Sequence, residues 1–376
     1  SSLLFGCILG AAIAGRLTDS WGRKRILIFV AILFTLTSLW SALAGNLSTL
    51  VMARIAGGLA VGAASTVSPM YISEISPAKY RGRLVSMYQL FIVTGILISY
   101  LINYLLHDTG PNNWRWMFAT GAIPSVIFLI LLFFVTETPR YLFLKGDSGK
   151  AMRVLEKIGG KQLANKEITE IKKSTTGQSV NFRLLFKPSL RKVLIVGFVL
   201  AVFVQLSGIN TIIDYAPKIF STAGWEINAG LFATFGLGIV NFISTWVSIL
   251  IIDRVGRRPL YIIGSAGMTI SLLGLSVAGA IGQFSGLTVL ILIIVFLIFF
   301  ASCIGPVFWT YMSEIFPNWI RGTAMSVPVF TQWVFNALVV LVFPSMLAKL
   351  DTVLTFGILS IFAFGQFYFA FKFMPE

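Results

Sequence analysis

The chain has 376 residues, of which 57% are hydrophobic and only 11% charged, with a formal net charge of +15. Soluble domains carry about a quarter charged residues, so a chain this poor in charge cannot cover itself with a solvated surface. The apolar residues come in runs of about twenty, enough for a helix to cross ~30 Å of hydrocarbon, and the ~10-residue alternation of a membrane barrel is absent. An all-α membrane protein is predicted.

In chain order, eleven spans are predicted at 1–18, 26–44, 49–71, 84–106, 115–135, 192–221, 228–252, 259–281, 287–312, 323–347 and 352–373. The one long polar stretch, 137–191, separates an N-terminal helical half (1–136) from a C-terminal one (192–376). Within it, segments 148–158 and 164–173 mix charge with helix-forming residues and predict short amphipathic helices on the membrane surface. The positive charge would suggest a nucleic-acid partner in a soluble protein. Here it falls in connections between spans, so it sets topology and no nucleic-acid partner is expected. Arg23, Lys24 and Arg25, then Lys79, Arg81 and Arg83, then Arg254, Arg257 and Arg258 occupy alternate loops, while Ala44–Ser48 and Gly282–Leu287 hold no base. The positive-inside rule therefore puts the basic loops and the long linker, with its bases from Lys145 through Lys173, Arg183 and Lys187 to Lys192, in the cytoplasm, under a plasma membrane.

Cys7 and Cys303 lie inside apolar runs and His107 at a span end, so no disulfide, metal site or cofactor is predicted. The spans offer no nucleophile or acid–base cluster, and a membrane enzyme is set aside; no catalytic residue is expected.

An internal repeat organises the chain. Asp19, Gly22 and Arg23 recur as Asp253, Gly256 and Arg257, 234 positions on. Tyr71-Ile72-Ser73-Glu74-Ile75 recurs as Tyr311-Met312-Ser313-Glu314-Ile315, with Arg81-Gly82 answered by Arg321-Gly322, 240 positions on. Two motifs in one order at nearly one spacing indicate two copies of a multi-helix unit. One span precedes the first Asp-x-x-Gly-Arg loop and two precede the second, which predicts a parent of six plus six spans whose first helix is missing from this chain.

With these motifs in view, the chain resembles the sugar porter family of the major facilitator superfamily. The signatures are Asp19…Gly22-Arg23-Lys24-Arg25, Arg54…Gly57-Gly58…Gly62, Glu74…Arg81-Gly82-Arg83, Glu137-Thr138-Pro139-Arg140, Gln205-Leu206-Ser207-Gly208-Ile209-Asn210, Asp253…Gly256-Arg257-Arg258, Gly305-Pro306-Val307-Phe308-Trp309 and Ser313-Glu314…Arg321-Gly322. The resemblance implies the major facilitator fold and alternating-access transport of a hexose or related monosaccharide, with protons as a candidate coupling partner. It further implies a monomer in a lipid bilayer.

A sugar needs neutral hydrogen-bonding groups and an aromatic plate, and amides in a span are costly unless they face a cavity or a partner helix. Gln89, Gln205, Asn210, Asn241, Gln332 and Asn336, with Trp309 and Trp333, are the candidate substrate-binding residues, most of them at positions that bind sugar in the resembling porters. The resemblance also implies a cytoplasmic latch of ion pairs. One cluster is Asp19, Arg23, Glu74, Arg81 and Arg83; Asp253, Arg257, Arg258, Glu314 and Arg321 form the other, with Glu137 and Arg140 joining. Gly208, Pro217, Gly305-Pro306, Pro328 and Pro344 mark breaks or kinks.

Some positions depart from the family pattern. Val204 stands where a second glutamine is usual, and Asp214-Tyr215 where two tyrosines are. Ile304 replaces a tryptophan, and Gly121 an acidic residue, of the pentose-carrying members. A carboxylate inside a span is by default functional, so Asp214 and Tyr215 join Arg54 as gating or coupling candidates. A transporter-like sugar sensor and a porter for another polyol or solute remain the alternatives.

Overall fold

The computed structural model describes residues 2–77, 80–175, 188–316 and 320–375. Lys79, Arg183 and Lys187 of the predicted basic set lie outside the described residues, as do the side chains of Lys173 and Arg321. Eleven stretches among the described residues are helical, long and apolar enough to cross a membrane, matching the predicted spans in number and order.

Before the linker run α1 (Ser2–Trp21), α2 (Arg23–Ala42), α3 (Leu47–Ile75), α4 (Arg81–Leu106), and α5 (Asn113–Thr120) with α6 (Ala122–Phe134), which form one span. The linker holds α7 (Pro139–Leu144) and α8 (Ser148–Thr175). After it come α9 (Pro188–Leu206), α10 (Ile209–Asp214), α11 (Ala216–Thr222), α12 (Ile227–Val255), α13 (Arg257–Ala280), α14 (Gly286–Phe299), α15 (Gly305–Ile315), α16 (Arg321–Lys349) and α17 (Asp351–Phe373). A wide turn of π-helix, Phe300–Ile304, joins α14 to α15 ahead of Gly305-Pro306.

Local chemistry explains several boundaries. Asn46 and Thr49 exchange hydrogen bonds in a capping box that starts α3. Gly22 and Gly256 both hold φ near +90° between consecutive spans, a conformation that favours glycine, and a side chain at Gly22 would also strike Glu137. Gly160, at φ 76°, breaks α8 at the point that separates the two predicted linker helices. Ala151, Leu155, Ala164 and Ile168 of α8 cover Leu142 and Phe143 of α7.

Helix contact is closest between α1 and α3. Gly6 and Gly10 on one face Gly58 and Gly62 on the other. A methyl group at Gly62 would sit 2.0 Å from the Cys7 carbonyl oxygen, and one at Gly6 2.0 Å from that of Ile55. Lipid supplies no hydrophobic drive between helices, so backbone approach through paired small residues is how such contacts gain packing energy. Around this unit α1 also packs on α16, and α4 on α12 and α15. Helices from before and after the linker thereby enclose the centre of the molecule.

Candidate substrate-binding site

A cavity of about 350 Å³ lies between the two sets of helices, and all eight residues predicted to bind substrate line it: Gln89 from α4, Gln205 from α9, Asn210 from α10, Asn241 from α12, Trp309 from α15, and Gln332, Trp333 and Asn336 from α16. None of its lining residues is charged.

The break at Gly208 supplies part of the geometry. Its φ of 82° ends α9 and starts α10, and Asn210 Nδ2 then donates to Gln205 Oε1 across the break at 2.7 Å. Two indoles bridge the cavity. Trp309 Nε1 donates to Gln89 Oε1 at 2.9 Å, and Trp333 Nε1 donates to Ser65 Oγ on α3 at 2.9 Å. The Tyr88 ring meets Trp309 edge to face with centroids 5.1 Å apart. Three buried amide oxygens, Asn241 Oδ1, Gln332 Oε1 and Asn336 Oδ1, have no hydrogen-bond partner within the described protein. Buried acceptors left without donors are costly unless a ligand supplies them.

Sequence reasoning missed Tyr88 and Ser65. Tyr88 adjoins Gln89, and Ser65 closes the small-residue run Gly62-Ala63-Ala64, so adjacency and a hydroxyl in a close-packed stripe were the available signals. Phe34, Phe300 and Phe308, which complete the wall, give no signal among 33 phenylalanines.

A second cavity of about 1050 Å³ adjoins the first, sharing Tyr88, Ile92, Asn210 and Ile213 with it, and extends along α4 to Asn103, away from the linker. Asp214 lines this outer cavity. Tyr215 turns the other way: its hydroxyl donates to the Val340 carbonyl at 3.2 Å and its ring lies against Phe343. Arg54 is in neither cavity; it lines a third, of about 520 Å³, with its guanidinium 5.2 Å from the Phe118 ring centroid and no ion pair among the described residues.

On the linker side the predicted ion pairs form twice, in matching geometry. Arg23 Nη2 reaches Asp19 at 3.3 Å and Glu74 at 3.1 Å, while its Nη1 donates to the Thr18 carbonyl. Arg257 Nη2 reaches Asp253 at 3.1 Å, its Nε and Nη2 grip Glu314 at 3.1 and 3.0 Å, and its Nη1 donates to the Ile252 carbonyl. The two clusters differ in burial. Arg23 and Glu74 side chains are 2% and 3% exposed, against 23% and 33% for Arg257 and Glu314. Glu137 accepts from the backbone N–H groups of Arg23, Lys24 and Thr138. Burial pushes its carboxyl above the ordinary range, and those three donors oppose the rise. Burial also lowers the Arg140 guanidinium, which Glu74 and Asp19 counter.

Two predicted latch residues, Arg81 and Arg258, donate to backbone carbonyls. Arg81 donates to the Ser73 and Ser76 carbonyls at the end of α3. Arg258 donates to the Phe371 carbonyl near the end of α17. Both serve orphan carbonyls at helix ends, which attract cations as carboxylates do. Arg83 is exposed without an ion pair among the described residues, since positions two apart do not share a helix face. Arg321 cannot be placed, its side chain lying outside the described residues.

Contacts between the two sets of helices close this side. Ser86 Oγ and Thr310 Oγ1 lie 3.0 Å apart, Thr323 Oγ1 donates to Asp19 at 3.4 Å, and a methyl at Gly82 would sit 2.4 Å from Arg257 Nη2.

The family model described as "Sugar (and other) transporter" matches residues 1–376. The arabinose–proton symporter of Bacillus subtilis is 38% identical over all of this chain and 82% of its own length. The solved structure of the proton:xylose symporter XylE bound to 6-bromo-6-deoxy-D-glucose superimposes with a TM-score of 0.90 at 35% identity, covering all of this chain and 85% of that one. The inward-open form of XylE from Escherichia coli, 34% identical over all of this chain and 84% of that one, reaches 0.79, in keeping with the closure seen here on the linker side. Eleven spans in the major facilitator fold, a neutral cavity between the two sets of helices and this whole-chain match lead to one conclusion: the chain belongs to the sugar transporter family.

Proposed function

We propose that the 350 Å³ cavity binds a monosaccharide and that the chain carries it across the membrane by alternating access, exposing the cavity first to one side and then to the other. The three unpartnered amide oxygens of Asn241, Gln332 and Asn336 carry the reading. A sugar offers hydroxyl donors on several sides at once, and an amide both accepts from and donates to a hydroxyl. Trp309 and Trp333 supply the aromatic faces on which sugar C–H groups pack. The absence of charge in the lining favours a neutral solute.

In this reading the Arg23 and Arg257 clusters, with the Ser86–Thr310 contact, hold the linker side shut while the outer cavity admits substrate. The linker side faces the cytoplasm, as the basic loops on that side support, and the membrane is the plasma membrane. The protein works as a monomer of two helical halves, 1–136 and 192–376, joined by the linker at 137–191. Proton coupling belongs to the proposal on the strength of the arabinose and xylose relatives, which are proton symporters.

Tryptophan fluorescence of the purified protein tests the binding step. Titration with D-xylose, L-arabinose and D-glucose is expected to give saturable quenching for at least one sugar, abolished when Asn241, Gln332 and Asn336 are all replaced by leucine. A signal unaffected by that triple substitution contradicts the assignment.

A further inference from the structure

From the inner cavity toward the linker side, hydroxyl side chains continue along three helices that pack on one another, α4, α12 and α15. On α12, Asn241 lines the cavity, and Thr245 and Ser248 follow it four and seven positions on, along the same face and ahead of the Asp253–Arg257 pair. That face meets α4, since a methyl at Gly238 would sit 3.0 Å from the Tyr100 ring. On α4, Ser86 stands between the cavity residue Gln89 and Gly82, and on α15 Thr310 follows Trp309. α9, by contrast, is apolar from Gly197 to Val204 once past Gln205.

The four hydroxyls differ in how they are satisfied. Ser86 Oγ donates to the Gly82 carbonyl, Thr310 Oγ1 to the Pro306 carbonyl, and the two oxygens meet each other at 3.0 Å. Higher on α12, Thr234 Oγ1 settles on the Gly230 carbonyl in the same way. Thr245 Oγ1 and Ser248 Oγ have no partner. Both side chains are 0% exposed, so in this form nothing further can reach them. A buried hydroxyl without a partner costs free energy, and two of them one turn apart, in line with the equally unpartnered Asn241 Oδ1, make a row.

We propose that this row is the release route: when the linker side opens, Thr245 and Ser248, with Ser86 and Thr310 freed from each other, form a second sugar-binding station between the inner cavity and the linker side. The proposal rests on the reading that the inner cavity takes a monosaccharide. A hydroxyl donates to and accepts from a sugar hydroxyl, so the four side chains can take over hydrogen bonds that the amides give up. Each offers a single donor where an amide offers two, which suits a site that a solute must leave.

Three measurements on the full-length protein test it. Thr245→Val with Ser248→Ala removes both hydroxyls at nearly constant shape. Tryptophan quenching by D-xylose, L-arabinose and D-glucose is expected to keep its native midpoint in this double variant, while counterflow of the same labelled sugars in liposomes slows about tenfold, the loss of one to two hydrogen bonds. Thr245→Ser, which restores a hydroxyl, is expected to recover the rate beside native Ser248. The third measurement needs no sugar. Ser248→Cys is labelled with a charged maleimide supplied from the linker side, the native protein, whose two cysteines are buried, serving as the blank. Labelling is expected from that side and not from the other. Counterflow at the native rate in the double variant overturns the proposal and leaves the two hydroxyls as an uncompensated burial, which a raised midpoint of thermal unfolding would show. Equal loss of binding and counterflow also overturns it, placing both groups in the binding site itself. Linker-side labelling of Ser248→Cys in a protein that binds none of the three sugars instead contradicts the monosaccharide reading and leaves the route standing.

Discussion

The Trp309 indole N–H donates to Gln89 Oε1 at 2.9 Å, tying α15 to α4 at the wall of the cavity. The two residues are separated by 220 positions, and the bond fixes both the plane of the ring and the direction of the amide. Gln89 is thereby left with its N–H₂ group for a solute, and Trp309 with its face.

Breaking that bond should cost sugar binding more than fold. Trp309→Phe keeps a ring and removes the donor, leaving a buried amide oxygen unpaired at about 1–3 kcal/mol. D-Glucose or D-xylose affinity is expected to fall about tenfold in Trp309→Phe and in Gln89→Leu. The double variant should lose far less than the product of the two, as coupled partners do. Equilibrium titration of the four proteins reads this out; strict additivity would place the two residues in independent roles.

The linker-side closure depends on the small size of Gly82. A side chain there meets Arg257 Nη2 at 2.4 Å and Asp253 Oδ1 at 3.0 Å from its first carbon. Arg257 can bend away from a methyl group, so Gly82→Val is the stronger test. It is expected to weaken the Arg257–Glu314 pair and shift the population toward the linker-side-open form. Spin labels on the linker-side ends of α4 and α15 should report longer distances in Gly82→Val than in the native protein. Unchanged distances would show that this contact does not hold the closure.

The two latch clusters should answer differently to the same substitution. Arg23→Met strands the Glu74 carboxylate at 3% exposure, which costs about 3–5 kcal/mol, as when one partner is removed from a buried pair. Arg257→Met leaves Glu314 a third exposed, and solvent screening limits the loss to about 1 kcal/mol. Unfolding of both variants in one detergent, followed by circular dichroism, gives the comparison. Equal losses would contradict the assignment of the difference to burial.

The α1–α3 contact leaves no room for growth. Gly62→Val places carbon 2.0 Å from the Cys7 carbonyl oxygen, and overpacking against backbone rather than a movable side chain is expected to cost about 3 kcal/mol. A substitution at Gly45, whose surroundings are open within 4 Å, serves as the control. A lowered midpoint of thermal unfolding for Gly62→Val but not for Gly45→Val supports the packing account; equal midpoints contradict it.

The spans were legible in the sequence because a membrane demands an apolar run of fixed length, and that demand does not depend on tertiary contacts. The eight cavity residues were legible for a related reason. An amide such as Asn241 in lipid needs a cavity or a partner helix, and the resemblance indicated which amides share one. The partners of Arg81 and Arg258 were not legible, because carboxylates and helix-end carbonyls attract a guanidinium alike and only the fold decides between them. Nor was the α1–α3 interlock: Gly6 and Gly10 look like any small pair until the facing Gly58 and Gly62 are in place. Tyr215 was grouped with Asp214 as a neighbour in sequence, but the turn that ends α10 sends the two side chains to opposite sides.

The central claim is that the neutral cavity between the two sets of helices carries a monosaccharide across the membrane. Its most direct test is uptake of labelled D-xylose, L-arabinose and D-glucose by the full-length protein in liposomes, with and without an inward proton gradient, native against the Asn241, Gln332 and Asn336 triple leucine variant. Saturable uptake of at least one sugar, driven above equilibrium by the gradient and lost in the variant, is the predicted result. No sugar uptake by the native protein, or uptake that survives the loss of all three amides, would contradict it.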